Sequence, residues 1–225
     1  TYADRIALRV ERPKIGQWKE WTYRGFYNDC KAFAKRLLTL NNFNKFDRIN
    51  ILGFNSPEWL IADLGCIMAG GIAAGIYTTN GADACQYISS HSQAKVVVVE
   101  DAIQTAKFLS IRDNLPHLQA IIQWSGTVDS NLTNVYTWQQ WLQRGKNMND
   151  DLINTKMKDQ RPGMACTLIY TSGTTGKPKA VMLSHDNITW TARIVASAFN
   201  LYGENESIVS YLPLSHIAAK MSDIH

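Results

Sequence analysis

Short, uninterrupted apolar runs are the feature that most limits what this chain can fold into. Val96–Val99 is four valines in a row, and Ile72–Ile76 carries no polar side chain. Successive apolar positions present hydrophobic side chains on both faces of a strand, so such a strand must be covered on both sides. Residues 49–52, which include one polar residue (Asn50), and residues 120–122 are further strand candidates. The chain is therefore predicted to build a sheet whose central strands lie between two other layers.

Helical segments with polar N-caps separate these runs. Caps are predicted at Thr22, at Ser56 before Pro57 and Glu58, and in two capping boxes, Asp83 with Gln86 and Thr137 with Gln140. The first helix would bury one apolar face, made of Tyr23, Phe26, Tyr27, Cys30, Ala34, Leu37 and Leu38. Strands that alternate with helices predict an α/β fold, in which layered, mostly parallel sheets are covered by helices.

Composition and charge exclude several functional classes. With 45% hydrophobic and 19% charged residues, the chain has enough apolar material to fold. The net charge of +4 is spread along the sequence without a basic block, so no nucleic-acid partner is predicted. The uncharged stretch from Leu64 to Tyr77 is shorter than the roughly 20 residues that span a bilayer. The polar residues 145–161 are predicted to form a solvated surface connection.

Four cysteines stand at positions 30, 66, 85 and 166. None of them forms the C-x2-C pair of a zinc or redox site, and three lie in apolar surroundings. We therefore predict buried free thiols in a reducing compartment, and we expect a cytoplasmic protein. Peripheral attachment to the endoplasmic reticulum membrane is the alternative location.

The segment from Thr171 to Lys179 carries the strongest functional signal. Between two predicted strands, residues 166–170 and 180–183, it holds four hydroxyls, two glycines and two lysines. Glycines let backbone N–H groups turn toward an anion, while hydroxyls and lysines bind phosphate oxygens. A Walker loop is excluded, because Gly173 and Gly176 are three residues apart and Pro178 replaces the magnesium-binding Ser or Thr. A flexible hairpin rich in Ser, Thr and Gly is the alternative, which the complete nine-residue string disfavours.

The histidines carry less information. A helix is predicted to begin near Ser184, and His185 is assigned only a structural role, as its cap. Its buried face would contain Ile188, Ala192, Val195 and Phe199. His91 and His117 stand in polar surroundings and carry no functional signal. His216 follows Leu-Pro-Leu-Ser and, without further context, would be a structural residue.

The nine-residue segment resembles the phosphate-binding signature of the adenylate-forming (AMP-binding) superfamily. Further similarities are Asn55-Ser56-Pro57-Glu58-Trp59, Ala69-Gly70-Gly71 and Ser210-Tyr211-Leu212-Pro213-Leu214-Ser215-His216, in the expected order. Within the superfamily, residues 51–56, 83–87 and 215–219 most resemble the bubblegum-type long-chain-fatty-acid–CoA ligases. The resemblance extends over most of the chain.

This resemblance implies a two-step ligase. A fatty-acid carboxylate and ATP, with Mg2+, would form acyl-AMP and pyrophosphate, and coenzyme A would then displace AMP to give the thioester. The implied ATP contacts are Thr171, Ser172, Gly173, Thr174, Thr175, Gly176, Lys177, Pro178 and Lys179. Thr174 would also contact the metal, and Lys179 and His216 would be catalytic. The expected partners are therefore a fatty acid, ATP and coenzyme A.

Two departures qualify the resemblance. Ala180 stands where the superfamily usually has glycine, and its φ is expected to be negative. Two readings of its methyl group stay open: it crowds the triphosphate, or it is ordinary strand packing. Residues 1–225 would form a partial AMP-binding and acyl-substrate domain without the small C-terminal domain, so the isolated chain is expected to be inactive. Two alternatives stay open: a non-catalytic isoform that binds nucleotide or a partner, and an adenylate-forming ligase for another carboxylate, such as an aryl or medium-chain acid.

Overall fold

The computed structural model describes residues 2–171, 176–201 and 206–223, with the side chain of Ser222 left aside. The strands are β1 (Ile6–Glu11), β2 (Trp18–Thr22), β3 (Arg48–Leu52), β4 (Ile72–Ile76), β5 (Val96–Val99), β6 (Ala120–Gln123), β7 (Val135–Thr137), β8 (Ala165–Thr171) and β9 (Lys179–Ser184). The helices are α1 (Tyr23–Leu37), α2 (Pro57–Met68), α3 (Ala82–Ser92), α4 (Ala102–Ser110), α5 (Trp138–Lys146), α6 (Asp151–Lys158), α7 (His185–Phe199) and α8 (Ile217–Asp223). Single helical turns lie at Tyr2–Asp4 and Arg112–Asn114.

Seven of these strands form one sheet in the order β7-β6-β5-β3-β4-β8-β9. All neighbouring pairs are parallel except β8 and β9, which form an antiparallel pair at one edge. The strands β1 and β2 make a separate antiparallel ribbon. The predicted mostly parallel α/β architecture is confirmed.

Helices cover both faces of the sheet, as the apolar runs predicted. Within β5, Val96 and Val98 belong to one apolar cluster, whereas Val97 and Val99 belong to the other. The first cluster contains residues of α1, α2 and α5, and the second contains residues of α3 and α4. Because strand side chains alternate between faces, a run of four valines supplies both layers of the core.

Most of the predicted helix caps are confirmed. The hydroxyl of Thr22 accepts a hydrogen bond from the Gly25 amide, and that of Ser56 accepts one from Trp59. Thr137 and Gln140 form the reciprocal capping box. The capping box at Asp83 is wrong: Gly81 is the N-cap of α3, and Asp83 stands in the first turn. A carboxylate there still faces the positive end of the helix without capping it.

Two helix faces also differ from prediction. In α1, Tyr23 and Tyr27 are exposed, although they belong to the predicted face. Phe33, which was not predicted, is fully buried in this helix, which packs against both α2 and α5. In α7, Ser184 is the cap, in a capping box with Asn187, so His185 is the first helical residue and does not cap. Phe199, in the last turn of α7, is 73% exposed.

The segment 145–161 is largely exposed, as predicted, but it is helical. It contains the end of α5 and all of α6, and Ile153 of α6 is fully buried. Asp150 accepts hydrogen bonds from the ammonium groups of Lys31 and Lys35 of α1, at 2.5 Å and 2.9 Å, which lower the pKa of its carboxyl group. A short helix with few apolar residues is thus held by charge pairing and one buried isoleucine.

The four cysteines are free and buried, as predicted. Burial raises the pKa of Cys85 and of Cys166 to about 11, so both thiols stay protonated near neutral pH. Among the described helices, none combines the length and hydrophobicity needed to cross a membrane.

Candidate active site

The carboxyl ends of the parallel strands β3, β4 and β8 lie side by side. We call this side of the sheet, where these strands end, the carboxyl edge. This edge is where open α/β sheets bind their ligands, because the loops that leave the strands converge there. The segment predicted to bind phosphate leaves β8 at Thr171 and enters β9 at Lys179, and the two residues are cross-strand partners. The fold therefore brings both ends of the segment together at this edge.

The described residues of the segment are Thr171, Gly176, Lys177, Pro178 and Lys179. Gly176 has a φ of +106°, in the left-handed region that favours glycine. Lys177 and Lys179 are both exposed, and the Lys177 ammonium lies over the ring of Tyr87 in α3. The predicted contacts Ser172, Gly173, Thr174 and Thr175 lie outside the described residues. What is described offers a hydroxyl and two cations to an anionic ligand.

A second segment, residues 210–216, docks at the same edge through Asn55. The Asn55 amide group donates to the carbonyl of Ser210 at 3.0 Å and to that of Leu212 at 2.7 Å. Its carbonyl oxygen accepts from the Leu214 amide at 2.9 Å. Asn55 follows β3, so one side chain fixes the whole stretch against the end of that strand.

Gly75 of β4 permits the close approach of this second segment. A Cβ atom at Gly75 would lie 2.6 Å from the Cα of Ser215, which no side chain tolerates without displacing the backbone. Leu214 and Ser215 are buried beside it, whereas His216 is exposed. The glycine thus sets how near His216 comes to the strand next to β8.

His216 stands at the start of α8 with a defined ring orientation. Its Nδ1 accepts a hydrogen bond from the Ala218 amide at 3.2 Å. In the neutral imidazole the proton therefore resides on Nε2, which is left as a donor. The predicted residues Lys179 and His216 thus both belong to segments at this edge, where Lys179 supplies a cation and His216 supplies an N–H donor.

A buried ion pair anchors α8 below His216. The Lys220 ammonium donates to Asp63 of α2 at 2.6 Å and to the Thr167 hydroxyl of β8 at 2.7 Å. It also lies over the ring of Trp59, 5.4 Å from the centroid. The side chains of Lys220 and Asp63 are 2% and 1% exposed. This contact joins the helix that follows His216 to both α2 and the sheet.

Sequence reasoning missed Asn55, Asp63, Tyr87 and Lys220 as parts of this edge. His91, which carries no functional signal in the sequence, places its Nδ1 2.9 Å from the hydroxyl of Tyr170 in β8. The sequence signal available for a contact between Tyr87 and His91 was their spacing of four residues on one helix. The others pair residues more than 150 positions apart along the chain, for which a single sequence offers no signal.

The described residues do not make a metal site by themselves. In the ranges the structure covers, no group of three or more His, Cys, Asp or Glu side chains is placed to hold a metal ion. The described part of the phosphate segment contributes hydroxyl and ammonium groups and no carboxylate, and Thr174 lies outside it.

Comparison with known proteins agrees with this geometry. The AMP-binding enzyme family matches residues 1–224. The chain is 47% identical over 226 residues to the long-chain-fatty-acid–CoA ligase ACSBG2 of Xenopus laevis, covering 99% of this chain and 30% of that protein. The predicted resemblance to the bubblegum-type branch is thereby confirmed.

Solved structures give the same result for the fold. The anthranilate CoA ligase AuaEII, in complex with anthranoyl-AMP, is similar with a TM-score of 0.67 and 25% identity, over 78% of this chain and 32% of that one. The A-PCP didomain of a carboxylic acid reductase from Segniliparus rugosus, in complex with AMP, has a TM-score of 0.78 at 19% identity, over 99% of this chain and 36% of that one. The chain belongs to the AMP-binding enzyme family.

Proposed function

We propose that these 225 residues form part of a long-chain-fatty-acid–CoA ligase, in which they supply the ATP-phosphate segment and one wall of the acyl site. The carboxylate of a fatty acid attacks the α-phosphorus of ATP and pyrophosphate leaves. The sulfur of coenzyme A then attacks the acyl carbon and AMP leaves. The 47% identity to a ligase of this name over almost the whole chain supports the substrate class.

The observation that carries the proposal is the juxtaposition at the carboxyl edge. The β8–β9 pair brings Thr171 and Lys179 together. Asn55 binds the stretch 210–216, which includes His216, and Gly75 lets this stretch lie against β4, the strand next to β8. The first step joins a carboxylate to a polyanion, so it needs positive charge and N–H donors at one place. Lys177 and Lys179 supply charge to the phosphates, and the His216 Nε2–H donates to the acyl carboxylate or the adenylate.

The remaining assignments extend this proposal. Thr174 would contact Mg2+ together with the phosphates, and coenzyme A would be the second substrate. The anthranoyl-AMP and AMP complexes among the solved structures described above support nucleotide use. The four buried free thiols support a cytoplasmic location.

The proposal is tested in the full-length ligase by replacing Lys179 with Ala. We expect ATP–pyrophosphate exchange with palmitate to fall about a hundredfold, the usual effect of one electrostatic contact made in the transition state. Thioester formation from supplied palmitoyl-AMP should fall much less. The matched control is Lys14→Ala, which removes an exposed lysine from the β1–β2 loop and should leave both rates unchanged.

The same assay separates the alternatives. Equal loss of both half-reactions in Lys179→Ala would contradict the assigned role of this lysine. Faster exchange with anthranilate or hexanoate than with palmitate by the unaltered enzyme would identify a ligase for another carboxylate. Absence of exchange with all three acids would identify a non-catalytic binding protein.

A further inference from the structure

Tyr87 of α3 contacts two consecutive residues at the end of the phosphate segment. Its hydroxyl donates a hydrogen bond to the Pro178 carbonyl oxygen at 3.1 Å. Its ring lies under the Lys177 ammonium, with 5.2 Å from the nitrogen to the ring centroid. One partly buried side chain therefore holds both the backbone and a cation of the segment.

His91, one helical turn further along α3, packs against the ring of Tyr87. The two rings are stacked with centroids 5.7 Å apart and an interplanar angle of 26°. His91 reaches the hydroxyl of Tyr170, which is buried in β8 directly before the segment begins. Burial raises the pKa of Tyr170 to about 12, so this phenol stays neutral.

Residues of α3 thus contact both ends of the segment. Tyr170 directly precedes Thr171, the first residue of the segment, and Pro178 directly precedes Lys179, the last. Tyr170 is also the cross-strand partner of Ala180, so the two strands and the helix enclose the base of the segment. A segment whose two ends are fixed by such contacts has fewer conformations to lose when it binds a ligand.

We propose that Tyr87 is a positioning residue for ATP, which acts through Lys177 and Pro178. An ammonium has three N–H donors, so a lysine resting on the ring still donates to a phosphate on its opposite side. The ring directs the Lys177 cation, and the hydroxyl fixes the backbone from which it extends. This inference rests on the proposed function, since it takes the ligand of the segment to be the triphosphate of ATP.

Two substitutions in the full-length ligase separate the two contacts. Tyr87→Phe removes the hydroxyl and keeps the ring, and we expect the KM for ATP to rise about fivefold, the effect of one hydrogen bond. Tyr87→Leu also removes the ring, and we expect a rise of about twentyfold. The KM for palmitate should stay the same in both variants, because Tyr87 acts only on the phosphate segment.

A double-mutant cycle tests whether the ring acts through Lys177. In a Lys177→Ala background, Tyr87→Leu and Tyr87→Phe should give the same KM for ATP, because no cation remains for the ring to hold. The effect of the hydroxyl should persist there, since it acts on Pro178. An unchanged difference between the Leu and Phe variants would overturn the proposed route.

Tyr136→Phe is the matched control. Tyr136 of β7 also donates a hydrogen bond and lies beneath cations, those of Arg36 and Arg144, but it stands at the opposite end of the sheet. This variant should have the ATP and palmitate kinetics of the unaltered enzyme. If both KM values rise together in Tyr87→Leu, or if neither changes, Tyr87 is an ordinary packing residue and the inference fails. If instead the unaltered enzyme forms no palmitoyl-CoA, it is the proposed function that fails.

Discussion

At the residue scale, Ala180 stands where glycine is usual in the superfamily, yet its backbone is that of a regular strand. It pairs with Tyr170 across the β8–β9 ladder and packs against the second apolar cluster of the sheet. Its φ is negative, as expected for an alanine at this position. A residue in this setting contributes β-structure and some burial, and the crowding of a phosphate is not needed to explain it.

Replacing Ala180 with Gly should therefore weaken the fold and leave ATP binding alone. We expect the free energy of unfolding to fall by about 0.5–1 kcal/mol, because glycine loses more backbone entropy in a strand. The measurements are urea unfolding and the KM for ATP in the full-length ligase. A lower KM for ATP in the glycine variant would show that the methyl group does crowd the triphosphate.

At the scale of elements, the docking of α8 depends on one buried ion pair. Lys220 enters a region closed by Trp59, Asp63 and Thr167, and the second carboxylate oxygen of Asp63 has no hydrogen-bond partner within the described ranges. A lone buried charge is far more costly than a neutral pair of similar size. The position of the helix is thus coupled to the neutralisation of Asp63.

Lys220→Met should destabilise the full-length ligase strongly, by about 3–5 kcal/mol, because it leaves the Asp63 carboxylate unpaired. The double variant Asp63→Asn with Lys220→Met should recover much of that loss, since no buried charge remains. Urea unfolding of the two variants measures this difference. Lys158→Met, which removes an exposed lysine of α6, is the control and should change little. A double variant as unstable as the single one would contradict the coupling.

At the scale of the whole molecule, exposed apolar side chains concentrate toward the end of the chain. Met182 of β9, Trp190 of α7 and Val209 are 66%, 62% and 81% exposed. The chain also spans only 30% of the length of the Xenopus laevis relative. Exposed apolar side chains that together form a large patch mark surfaces to which other protein segments bind.

The isolated 225-residue chain is accordingly expected to form no palmitoyl-CoA from ATP, palmitate and coenzyme A. It should also bind a hydrophobic dye such as anilinonaphthalene sulfonate more strongly, per mole, than the full-length ligase does. Thioester measurement against a no-protein blank and dye fluorescence test both points. Turnover by the isolated chain would show that these residues suffice for catalysis.

The amino-acid sequence by itself determined six of the seven strands of the large sheet, most helix caps, the two-sided burial of the sheet and the position of the segment from Thr171 to Lys179 between two strands. Each of these depends on residues close together in the chain, such as the four valines of β5 or the Thr137–Gln140 capping box. Local backbone preferences and side-chain alternation operate over that range, so their pattern can be read directly.

Only the tertiary structure decided which distant residues meet. Asn55 with Leu214, Asp63 with Lys220 and Tyr87 with Pro178 are joined across 91 to 159 positions. The same holds for α6, which is helical because Ile153 and Asp150 find partners on other elements. Hydrogen bonds and ion pairs are specific to the atoms that fold to within about 3 Å of each other. Their partners depend on how the strands are ordered in the sheet, and local sequence patterns do not specify that order.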